Sequence, residues 1–98
     1  MPDRPESPRN IGVVCDLHAP RPQRHFTAVP PQAFVGHYVQ RAFGTRQGSL
    51  EHMWVYVDRV TPEGHLEGRL DNDPVHDCGV VCGDTVTVAL VQIEAVSP

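Results

Sequence analysis

Ten prolines and eight glycines fall in these 98 residues, and seven of the prolines precede residue 32. Proline removes a backbone donor and breaks helices, and an isolated helix shorter than about 12 residues is marginal in water. The chain is therefore expected to fold as strands and turns, with an irregular proline-rich N-terminal arm. Pro2, Pro5 and Pro8 stand at every third position of residues 1–10, which predicts a disordered, solvated tail. Residues 11–96 then form a single small domain, since one domain commonly takes about 100 to 150 residues.

Within the arm, Ile11-Gly12-Val13-Val14-Cys15 is an apolar run too short to separate a strand from a buried loop. Residues 19–32 carry Pro20, Pro22, Pro30 and Pro31 and read as a meandering connection, with Phe26 and Val29 able to pin it to a core. A composition shift near Phe34 marks the start of the compact part.

From there a strand signal opens at Gly36-His37-Tyr38-Val39 and runs to about Phe43, followed by a polar loop over residues 44–50. Glu51 to Asp58 reads as a long strand in which Met53, Val55 and Val57 alternate with Trp54 and Tyr56. Large apolar groups on both faces are the pattern of a central strand. Thr61-Pro62-Glu63-Gly64 places proline and glycine at the second and fourth positions of a tight turn. Leu66, Gly68 and Leu70 alternate with His65, Glu67 and Arg69, a half-exposed strand. Asp71-Asn72-Asp73-Pro74 ends it, because Asn and Asp bond their own backbone in turns and proline cannot continue a ladder. Residues 75–82 are an irregular crossing. Val86, Val88 and Leu90 give the last alternation, and Val91 to Glu94 reads as one helical turn that packs Ile93.

These signals predict a mainly β fold: a small twisted antiparallel sheet curled into a half-open SH3-like barrel. An α+β sheet with a helix from the N-terminal segment is the alternative.

Charge bears on partners. Residues 35–98 hold four Arg against nine acids, although the whole chain is only at -4. Nucleic-acid affinity comes largely from cations that neutralise phosphates, so a nucleic-acid partner is not expected. All basic residues are Arg, as in proteins of GC-rich bacteria. Three cysteines, an odd count, and the lack of a cationic start followed by an apolar run argue against a disulfide framework and a signal peptide. No apolar stretch approaches the roughly 20 residues that span a bilayer. A cytoplasmic protein with no membrane partner is the expectation.

A hairpin turning at 61–64 sets residues 51 and 52 roughly opposite residues 72–74, bringing Glu51, His52, Asn72 and Asp73 to one edge. A histidine beside carboxylates can move a proton or hold a ligand; equally, such turn residues bond local backbone. Trp54 and Tyr56 share a strand face with His52. Aromatics usually belong to a core, but a short chain has few elements to cover both faces of a sheet, and a half-covered one would bind a protein or a small ligand. Cys78, Cys82 and His76, with Cys15 and His18 upstream, supply zinc ligand types. The three-residue gap between Cys78 and Cys82 is looser than the usual knuckle, so no metal and no cofactor are expected.

The run E-H-M-W-V at 51–55, the Gly68-x-Leu70 strand, D-N-D-P at 71–74, Gly83-Asp84-x-Val86 and Ile93 together resemble a small bacterial family, domain of unknown function 2314. The resemblance is strongest over 36–94 and extends loosely back to Phe26. It implies a compact, mostly β domain and no particular reaction. The residues matching the pattern are Glu51, His52, Trp54, Asn72, Asp73, Pro74, Gly83 and Asp84. Family members often follow the isoleucine with an Asp-Trp pair, where this chain has Glu94-Ala95, so a pocket capped by that pair would here be more open.

The expected function is a non-enzymatic interaction or regulatory module, binding a protein or small molecule through Glu51, His52, Trp54, Tyr56, Asn72 and Asp73, with no catalytic residues assigned. A small hydrolase or lyase using Glu51, His52 and Asp73, and a zinc-bound structural module, are the alternatives.

Overall fold

The computed structural model describes residues 24–98, with side chains from Phe26 onward. The expected tail, the Ile11–Cys15 run and the Cys15/His18 zinc ligands lie outside the described residues.

Five antiparallel strands make one sheet: β1 (Tyr38–Gly44), β2 (Leu50–Val60), β3 (Leu66–Leu70), β4 (Thr85–Val88) and β5 (Ala95–Val96), in the order β4-β3-β2-β1-β5. The fold is mainly β, as the proline distribution and the alternation indicated, and the sheet does not close. One-turn 3-10 segments cover Arg24–Ala28, Pro31–Phe34 and Leu90–Gln92. The last falls where a helical turn was expected and leaves Ile93 fully buried. β2 is the middle strand, consistent with its two apolar faces.

Turn chemistry sets the β2–β3 hairpin. Gly64 takes φ 85°, a region closed to most side chains. Its N–H donates to the Thr61 carbonyl at 2.9 Å, and the Thr61 N–H donates to the His65 carbonyl at 2.8 Å. The ladder then slips between Val57 and Arg59, a bulge that leaves Asp58 extra. Beyond it Val57 faces Gly68 and Val55 faces Leu70. Gly68 is required here for a second reason: a Cβ would lie 1.9 Å from the Tyr56 carbonyl oxygen.

The core occupies one face of the sheet. Met53, Val55 and Val57 of β2 meet Val39 and Phe43 of β1, Leu66 and Leu70 of β3, and Val86 and Val88 of β4; Phe34 and Ile93 complete the cluster, with Phe26 and Val29 packed against it. Fully burying each such side chain contributes about 1.5–3 kcal/mol. The N-terminal connection is thus pinned through Phe26, whose ring meets Phe34 edge-on at 6.1 Å.

The sheet is strongly curled. In a flat sheet β1 and β4 would lie three strand spacings apart, about 14 Å, beyond an arginine's reach. Yet the Arg41 guanidinium of β1 donates to the Thr87 carbonyl of β4 at 3.0 Å. β5 adds to the other side of β1, with Val96 opposite Val39, and is extended by the Glu94 N–H on the Gln40 carbonyl and the Ser97 N–H on the Tyr38 carbonyl.

Candidate functional site

Strand alternation places Leu50, His52, Trp54 and Tyr56 on the face opposite the core. The β1 register sets Ala42 against His52, Gln40 against Trp54 and Tyr38 against Tyr56. The two tyrosine rings meet edge-on, 5.2 Å between centroids, and the Arg69 guanidinium stands 6.0 Å from the Tyr56 ring. This second face is more covered than a two-sided sheet in a short chain suggests: Tyr38 is 3% exposed, His52 6% and Trp54 9%, leaving Tyr56 half-buried.

His52 is held by a residue that the sequence reading did not place in the site. Its Nδ1 lies 2.9 and 3.0 Å from the two oxygens of Glu94, and both side chains are buried. The contact fixes the ring's orientation from its Nδ1 side. Glu94 lies 42 residues of chain from His52, so no local spacing in the sequence signals the pairing.

Trp54 is fixed through its backbone. Its N–H donates to the side-chain oxygen of Asn72, and its carbonyl accepts from the Asp71 N–H at 2.9 Å. Asn72 is fully buried, so the amide continues the β2–β3 ladder where the backbone turns away. The indole is different: Nε1 is buried and has no hydrogen-bond partner among the described residues.

Glu51, on the core face and fully buried, organises the crossing after β3. Its two oxygens accept the Val75 N–H at 2.8 Å and the His76 N–H at 2.6 Å, with His76 Nδ1 at 3.2 Å. Asp73 is exposed, with Pro74 half-buried beside it. The six residues singled out from sequence therefore gather around one end of β2 but do not enclose one cleft. His52, Trp54 and Tyr56 share a face, Asn72 and Glu51 hold backbone, and Asp73 faces solvent.

In the crossing, Cys78 and Cys82 are not joined to each other in a disulfide, and burial pushes the Cys78 thiol up from its ordinary value. Among the described residues no three His, Cys, Asp or Glu side chains gather as metal ligands. Nor is any helix among them long and apolar enough to cross a membrane.

No curated protein and no solved structure matches the chain. The model of a family described as "Uncharacterized protein conserved in bacteria (DUF2314)" matches residues 23–95, taking in every strand and the whole His52–Trp54–Tyr56 face apart from the last residue of β5. The chain belongs to this DUF2314 family of uncharacterised bacterial proteins.

Proposed function

We propose that the protein is a non-enzymatic binding module whose His52–Trp54–Tyr56 face receives a protein segment or small ligand that supplies a hydrogen-bond acceptor to the Trp54 indole. The buried indole N–H, which has no acceptor among the described residues, carries this reading. A buried donor without an acceptor costs about 1–3 kcal/mol, whereas the backbone of the same residue is matched on both sides by Asp71 and Asn72. Tyr56, half-buried and flanked by Tyr38 and Arg69, gives the ligand a partly open edge with aromatic and cationic character. The scaffold is a half-open SH3-like barrel: the strand order sets β1 between β2 and β5, a 3-10 turn separates β4 from β5, and Arg41 reaches across to β4. Cys78, a thiol and not half of a disulfide, suits a reducing compartment such as the cytoplasm.

Acid–base catalysis through Glu51, His52 and Asp73 fits less well, because these groups address three separate places and, among the described residues, no activated thiol or hydroxyl stands beside them. In favour of such chemistry at His52 stands one observation, the carboxylate that orients its Nδ1. The test is a thermal-shift screen of amides, carboxylates and short peptides against the protein and Trp54→Phe. Ligands should stabilise the parent and lose at least about tenfold in affinity, roughly one good hydrogen bond, against a folded Trp54→Phe. Equal affinity for both would overturn the reading.

A further inference from the structure

The opposite face of the sheet holds an arginine that has no acidic partner among the described residues. Three of the four arginines after residue 34 are ion-paired on the surface: Arg46 with Asp77 at 2.6 Å, Arg59 with Glu67 at 2.6 Å and Arg69 with Asp58 at 3.2 Å. Arg41 is half-buried, and among the described residues it has no carboxylate at ion-pair distance. Its register partner Met53 puts it on the core side of β1. The guanidinium lies over the Phe43 ring at 4.0 Å, Nε donates to the Ala42 carbonyl at 3.1 Å, and Nη1 donates to the Thr87 carbonyl. Burial lowers its pKa from the ordinary value, with Cys78 and Glu94 within electrostatic reach. Arginine nevertheless stays charged in proteins.

A guanidinium offers five N–H donors, and the two carbonyls use two of them. The remaining donors lie on Nη1 and Nη2, the edge that accepts a carboxylate through two parallel bonds. We infer that Arg41, stacked on Phe43 at the open seam between β1 and β4, is a binding site for a singly charged carboxylate, carried by a small organic acid or by a peptide C-terminus. A carboxylate fits better than a phosphate because residues 35–98 already carry five more acids than arginines, and the nearby Glu94, bound to His52, opposes a dianion more than a monoanion. The competing role for Arg41 is a clasp between two strands that needs no ligand.

Titrating sodium butyrate into 15N-labelled protein, against sodium chloride at matched ionic strength and against butyramide, separates these. The site predicts saturable shifts of the Arg41 Nε–H signal and of the Phe43 and Thr87 amides with butyrate, absent with both controls. A folded Arg41→Gln should lose at least about tenfold in affinity, the scale of one charge-assisted bond. Should that variant not fold, the parent decides: butyrate must raise its thermal midpoint above the chloride control, as a ligand of the folded state does. An N-acetylated tripeptide with a free C-terminus, compared with its amide, identifies the source; tighter binding than butyrate points to a chain terminus, weaker binding to a free acid. Shifts equal to those of chloride, with no gain in midpoint, would leave Arg41 a clasp and overturn the inference.

Discussion

Asn72 completes the main-chain hydrogen bonding of Trp54: its side-chain oxygen takes the main-chain N–H of a residue 18 positions earlier, where no strand remains to do so. The amide acts as an extra rung of the sheet and fixes where the indole stands. Asn72→Ala leaves a buried backbone donor unmatched and should cost about 1–3 kcal/mol. Urea unfolding measures it as a lower midpoint at unchanged slope; an unchanged midpoint would mean that the contact contributes nothing.

Glu51 ties the crossing to the sheet by two backbone bonds from one carboxylate. Charge-assisted bonds are the stronger kind, so Glu51→Ala should free the Val75 and His76 amides to exchange while β2 and β3 stay protected. Loss in Glu51→Gln should be smaller, since one oxygen acceptor remains. Exchange of the 75–76 amides at the parent's rate would contradict the assignment.

The His52–Glu94 pair is buried on both sides. Removing one partner strands the other, at a cost of about 3–5 kcal/mol, so His52→Phe and Glu94→Leu should each destabilise strongly while the double variant recovers part of the loss. A coupling energy of about 1–3 kcal/mol in the double-mutant cycle is expected; strictly additive losses would show that the two act independently.

Two glycines separate contact from conformation. At Gly68 an added Cβ meets the Tyr56 carbonyl, a backbone atom that cannot move aside, so Gly68→Ala should exceed about 4 kcal/mol and prevent folding. At Gly48 the space is open but φ is 85°, and Gly48→Ala should cost only about 1–2 kcal/mol. Spectra of the two variants check this; a well-folded Gly68→Ala would refute the close approach.

The Cys78 thiol should alkylate with iodoacetamide more slowly than the exposed Cys82, and its reaction should set in at a higher pH than that of an ordinary thiol, because burial raises its pKa and the thiolate is the nucleophile. Peptide mass mapping across a pH series reads both rates, and faster labelling at Cys78 would contradict its placement.

The hairpin could be read because its signals are local: Pro62 and Gly64 make the turn, and alternation over Met53–Val57 and Leu66–Leu70 sets the faces. β5 could not, since two residues carry no period and its pairing with Val39 is made only in the folded chain. The hairpin register brings Glu51 and Asn72 to one edge, yet what they hold, the 75–76 backbone and the Trp54 N–H, depends on the crossing. Glu94 shows the same limit from the other side: the partner of His52 is set by β5 docking on β1. The burial of Trp54 was concealed because alternation assigns a face without saying what covers it.

The chain has one tryptophan, so its indole N–H gives a single signal in a 1H–15N spectrum. Following that signal while titrating the stabilising amides and carboxylates from the thermal-shift screen shows whether a ligand reaches the indole. Binding through the Trp54 face predicts a saturable downfield shift of the indole proton as an acceptor engages it. A ligand that binds and moves other amides while the indole signal stays in place would contradict the account.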